Sequence, residues 1–158
     1  MSHRRNRIAG QWSHQTIEML ESPAYRVLSL AAHRILARIQ IEKAHHGGRD
    51  NGRLPVTYDQ FKDYGVHRHA IGPAIRELVA LGFVEVTEKG SAGNAEFRRP
   101  NKFRLTFHPH TSGANPTDEW RRIKTDEEAI AIQTDARRPQ PRSPRSRPRR
   151  VNGAAERA

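Results

Sequence analysis

The chain has 158 residues, with 28 Lys and Arg against 17 Asp and Glu, a formal net charge of +11 and no cysteine. That length suits one domain and a tail, and the missing thiol removes disulfide frames and thiolate metal sites. No run approaches the ~20 apolar residues that span a bilayer, and the opening SHRRNRIAGQW lacks the apolar run of a secretory leader, so a cytoplasmic protein is expected.

The charge is unevenly spread. Residues 1–13 hold three arginines and no carboxylate, residues 14–110 fourteen cations against ten carboxylates, residues 111–135 three against six, and residues 136–158 eight against one. Strongly basic ends around a mildly basic middle suit a polyanion, most often nucleic acid. A tail that only aids solubility is the plainer alternative.

In chain order, residues 1–13 read as a disordered basic arm, with Arg4, Arg5 and Arg7 free to meet phosphates and Ile8 and Trp12 available to pin it to the domain. The domain itself is expected over residues 14–108. Thr16–Leu20 has no clear structure. Ser22-Pro23 is a helix start, since Ser caps and Pro fits the first turn. Ser29 offers a second cap, which predicts a brief helix over Pro23–Leu28 and a longer one from Leu30 to about Ala44. Ala32, Ile35, Leu36 and Ile39 share a face of the longer helix, with Arg34, Arg38 and Lys43 outside. His45–Gly52 reads as a plain loop. Arg53–Val56 is short, and Pro55 fits an edge strand and not a central one. Thr57 then caps a helix to about Asp63, with Tyr58 and Phe61 turned inward. Tyr64-Gly65-Val66 is a tight turn, with Val66 plugging the angle between two helices.

Beyond the turn, Ile71, Ala74, Ile75, Leu78 and Leu81 recur at spacings of three and four, while Arg68, His69, Gly72 and Arg76 fall largely on the opposite face. Gly82 stands where a left-handed helix cap is expected. Phe83–Thr87 and Phe103–Phe107 alternate as two strands around a Gly-rich loop. The predicted fold is mostly α with a small β-hairpin: a winged helix-turn-helix.

GVHRHAIGPAIRELVALGFV resembles the second half of the winged helix in gluconate-repressor (GntR)-type bacterial regulators, through Gly65, Val66, Arg68, Ile71, Ala74, Ile75, Leu78, Gly82, Phe83 and Val84. The wing ending in FRLTF is also similar to helix-turn-helix proteins of bacterial plasmids and mobile elements, replication-initiator-like ones among them. The resemblance runs from about Ser29 to Phe107, and it is shared by many functions. His67 departs from the family's Ser, which weakens the helix N-cap. Gly72-Pro73 falls inside the recognition helix, where an interior proline costs about 3 kcal/mol. Either the helix kinks near residue 70, or it starts late with Gly72 as its cap. The phase of Ile71 with the later core positions favours a distorted helix from about Arg68.

The resemblance implies a DNA-facing set of His67, Arg68, His69, Gly72 and Arg76 on the helix, and Lys89, Arg98, Arg99 and Lys102 on the wing. Arg68 suits a bidentate contact with guanine O6 and N7, His67 and His69 flank it, and Arg76 is expected to reach a phosphate. The Gly-rich loop from Glu88 to Asn94 beside those wing cations suits a minor groove or the backbone. The bland reading of Arg68 and Arg76 is a solvated helix face with Glu77 as a neighbour. Phe97, Phe103, Leu105 and Phe107 read as core and not as a base-stacking platform.

No catalytic arrangement is expected. There is no phosphate-binding Gly-Lys-Ser loop and no nucleophile elbow. The pairs His67/His69 and His108/His110 lack a carboxylate cluster to complete a metal site. No cofactor, metal or small-molecule ligand is expected. Residues 109–136 read as a linker with short helices, one opening at Thr117–Trp120 and another running from Thr125 to about Ala136. Trp120, Ile123, Ile130 and Ile132 are too few to fold alone, so they pack on the domain or on a partner subunit. From Arg137 to residue 158, RRPQPRSPRSRPRR is low-complexity and expected to be disordered, adding salt-sensitive phosphate contacts.

The expected function is sequence-specific binding of double-stranded DNA by a transcriptional regulator of the bacterial cytoplasm, associated with the nucleoid. Alternatives are a plasmid or phage replication-initiation accessory protein, and a nonspecific nucleic-acid or protein-interaction module. Many such readers bind palindromes as dimers. A homodimer is compatible with the chain, although no segment reads as a dimerisation helix.

Overall fold

Side-chain caps set the first half of the chain in the computed structural model, which describes residues 8–91 and 99–141. Thr16, Ser22 and Ser29 each accept a hydrogen bond from the backbone N–H three residues on, which starts α1 (Ile17–Glu21), α2 (Pro23–Arg26) and α3 (Leu30–His45). The run around Thr16–Leu20 is thus helical, and the helix at Pro23 stops two residues before Leu28. Ala32, Ile35, Leu36 and Ile39 on α3 are buried, as their spacing requires. Ile8 and Trp12 do not pin the arm by burial, being 75% and 67% exposed. Ser13 Oγ instead donates to Gln40 Oε1 at 2.7 Å.

Next come β1 (Leu54–Val56), α4 (Tyr58–Asp63), α5 (Arg68–Ala80), β2 (Val84–Glu88) and β3 (Asn101–Leu105). The expected hairpin is part of a three-stranded antiparallel sheet in the order β1-β3-β2. β1 pairs through Leu54 with Phe103, and β2 through Val84 with Leu105. Pro55 therefore sits on an edge strand, where its missing N–H interrupts no ladder. Leu54, Phe61, Ile71, Leu78, Phe83 and Phe103 are fully buried. Phe61 meets Phe103 edge to face at 5.9 Å between ring centroids. Tyr58, expected inside with Phe61, is 39% exposed. It is the first residue of α4, and only Phe61, three further on, reaches the core.

α5 is one helix from Arg68 to Ala80 with Pro73 inside it, and His67 makes no side-chain cap. The missing cap and the proline together cost a few kcal/mol. Burying Ile71, Ile75 and Leu78 returns about 1.5–3 kcal/mol each. Packing therefore outweighs local preference here.

After the sheet, the short helix expected to open at Thr117–Trp120 is a 3-10 helix at Glu119–Arg122, and α6 runs Asp126–Arg137, one residue into the stretch read as tail. Trp120, Ile123 and Ala129 join the core, so this segment packs on its own domain. Arg104, only 11% exposed in its side chain, holds Glu85 at 2.6 Å and Glu119 at 3.2 Å and ties the turn to the sheet. The loop before β1 is less plain than it reads. Asn51 is buried there, its amide nitrogen donating to the carbonyls of Leu105, His108 and Pro109 while its oxygen accepts from Leu105 N–H at 2.7 Å.

His108, just past β3, is 2% exposed, stacks on His14 at 4.2 Å and faces Lys43 Nζ at 2.7 Å through Nδ1. The lysine can only donate, so Nδ1 accepts and the ring is neutral. Burial, then the charges of Lys43 and His14, push its pKa down to about 3. The folded protein thus resists a proton that the unfolded chain takes up below about pH 6.5. The His108 contribution to stability is complete above that pH and falls by up to about 1.4 kcal/mol per pH unit as pH drops toward 3. His46 has the opposite sign. Its hydrogen bond to Asp50 raises its pKa, so its contribution is complete below pH 6.5 and fades above. It cannot offset the acid slope. Urea titrations at pH 6.5 and pH 5 should therefore differ by roughly 2 kcal/mol, and His108→Gln should remove most of the difference.

Candidate nucleic-acid interface

Thr57 and Gln60 form a reciprocal capping box that fixes the start of α4. At its end Gly65 N–H donates to Lys62 O and Val66 N–H to Phe61 O, which closes the helix and drives Val66 into the core. α5 leaves this turn with His67, Arg68 and His69 all exposed. The two histidine rings stack at 5.7 Å, one on each side of Arg68 in sequence. Arg68 Nη1 donates to Asp59 Oδ1 at 2.9 Å, with both side chains about 60% exposed. An exposed pair of this kind is worth at most about 1 kcal/mol, so the guanidinium remains available to a stronger acceptor.

Gly72 lies one turn on, where an added Cβ would make ordinary 3.6 Å contacts with the Tyr58 hydroxyl and with Arg76. Arg76 is placed differently from the phosphate contact expected of it. Its Nε donates to Ala136 O at 2.9 Å and its Nη2 to Arg138 O at 3.3 Å, so it caps the last turn of α6. Glu77 is no solvated neighbour either: it is fully buried and accepts from Ser29, Gln133 and Arg137.

On the hairpin, Ser91 and Arg99 bridge the two arms beyond β2 and β3, and both are exposed. Lys102 pairs with Glu88 at 2.9 Å, which holds the Glu88 carboxyl below its usual range. Lys89 is exposed beside them. Arg98 and Phe97 lie outside the described residues, as do Arg4, Arg5 and Arg7 and the arginines of residues 142–158.

A cleft of about 470 Å³ runs between the first turn of α4 and the Ser91/Arg99 end of the β2–β3 hairpin. Tyr58, Asp59 and Arg68 line one side, and Ser91, Arg99 and Pro100 the other. The cleft brings together a cation of α5 and a cation of the hairpin that are 31 residues apart in sequence. Sequence reasoning missed Asp59 and Tyr58 as part of this site. Their position in the first turn of α4, the helix just before α5, was the available signal. Among the described residues, no group of three or more His, Asp or Glu is gathered to hold a metal, and no helix is long and apolar enough to cross a membrane. No family model matches the chain, and no curated protein and no solved structure matches it.

Proposed function

We propose that this chain is a winged-helix protein that binds double-stranded DNA in a sequence-specific way and serves as a transcriptional regulator in the bacterial cytoplasm. The observation that carries the reading is the cleft bounded by Arg68 on α5 and Arg99 on the wing. α5 presents an exposed His67-Arg68-His69 end ahead of a three-stranded antiparallel sheet, the order in which a reading helix and a wing address one duplex. Arg68 takes guanine in the major groove, His67 and His69 meet its neighbours, and Lys89, Arg99 and Lys102 hold the backbone. The basic termini add sequence-independent attraction.

Selection of the full chain against a random duplex library at near-physiological salt tests this. A single motif should enrich, and Arg68→Ala should lower the preference for it at one base pair by about 1–3 kcal/mol. A motif with two-fold symmetry would identify a dimeric reader. An unchanged motif in the Arg68→Ala protein, or no motif at all, defeats the proposal. Finding the motif at promoters assigns the regulator role. Finding it at a plasmid or phage origin assigns replication initiation instead.

A further inference from the structure

We infer that Asp59 is a positioning residue that sets which edge of Arg68 faces the bases, and so sharpens sequence discrimination. The inference rests on the DNA-reading proposal and extends it from α5 to α4. A guanidinium offers its donors in one plane, in a fixed fork. Asp59 Oδ1 occupies Nη1 at 2.9 Å. That leaves the edge made by Nε–H and Nη2–H, two parallel donors, which matches the paired acceptors O6 and N7 of guanine. Without the carboxylate the side chain, 59% exposed, can swing among rotamers and meet a phosphate as readily as a base. The same carboxylate lines the cleft between Arg68 and Arg99. A negative charge there opposes the backbone, so Asp59 lowers affinity for duplexes that do not satisfy Arg68.

Orientation and repulsion together predict opposite movements of specific and nonspecific binding. The test uses the full chain, the duplex selected as above, the same duplex changed at the Arg68-dependent base pair, and an unrelated duplex, with binding read by fluorescence anisotropy at fixed salt. Asp59→Ala should cut the ratio between the first two by up to about fivefold, the limit set by an exposed pair, while the unrelated duplex binds a few-fold more tightly. Asp59→Asn keeps an oxygen for Nη1 and removes the charge, so it should retain most of the ratio and still tighten unrelated binding. An unchanged ratio in Asp59→Ala overturns the inference while Arg68→Ala still upholds the reader. A parallel loss of binding to all three duplexes also overturns it, since that marks a structural role for α4. If Arg68→Ala leaves the ratio intact, the reading of the domain fails with it.

Discussion

Glu77→Ala should lower the unfolding free energy by about 3 kcal/mol and loosen α6 first. The side chain is fully buried among three helices. Oε1 accepts from Ser29 N–H at 2.7 Å and from the Gln133 amide at 2.9 Å, while Oε2 accepts from Ser29 Oγ at 2.9 Å and from Arg137 Nη1 at 2.8 Å. Ser29 is also the cap of α3, so the carboxylate sits at the positive end of that helix. The guanidinium of Arg137 is 41% exposed and can turn to water when its partner goes. The larger loss therefore falls on Ser29 N–H, a donor with no other acceptor, at about 1–3 kcal/mol, and on the cavity left behind. Gln133 retains the Val27 carbonyl. Glu77→Gln keeps the shape and one acceptor and should lose less than half as much. Urea unfolding measures the total, and amide exchange over residues 126–137 measures the release of α6. A loss below about 1 kcal/mol, the size of an exposed pair, would mean that the cluster holds nothing together.

Glu77 also marks the boundary of what the chain discloses by its pattern. Ala74, Glu77 and Leu81 stand at spacings of three and four, so periodicity alone puts Glu77 on the buried side of α5. Its charge argued for the surface, because a carboxylate inside needs donors that no local rule supplies. Those donors come from 48 residues before it and from 56 and 60 residues after it. Asn51 and Arg76 were opaque for the same reason, their partners lying more than fifty residues away. What depends on neighbours in sequence was legible. The caps at Ser22, Ser29 and Thr57 and the glycines at 65 and 82 all give their signals within a few residues. The candidate interface divides along the same line. Exposure of His67, Arg68 and His69 follows from helix phase, whereas the Asp59 partner and the cleft shared with Arg99 depend on how α4 and the β2–β3 hairpin pack.

Two glycines close two helices in the same way, and the difference between them yields the second large effect. Gly65 ends α4 at φ 96°, and Gly82 ends α5 at φ 86°. At each, the glycine N–H and the next N–H reach back to carbonyls of the last turn. An alanine at either site is strained by about 1–2 kcal/mol from its left-handed backbone. At Gly65 an added Cβ would meet only the tip of Arg34, a flexible group that can step aside. At Gly82 it would lie 2.6 Å from Glu119 C and 2.6 Å from Trp120 N, backbone atoms that cannot. The 3-10 turn would have to withdraw, taking with it Trp120, which is 4% exposed, and the Glu119 end of the Arg104 network. Gly82→Ala should therefore cost about 3–5 kcal/mol, comparable to truncating a buried aromatic, against about 1–2 kcal/mol for Gly65→Ala. Thermal unfolding followed by tryptophan fluorescence separates the cases, since only Gly82→Ala should shift the native-state emission toward that of solvent-exposed indole. Equal losses at the two glycines would show that the turn at Glu119–Arg122 yields freely, and that backbone conformation alone fixes glycine at both sites.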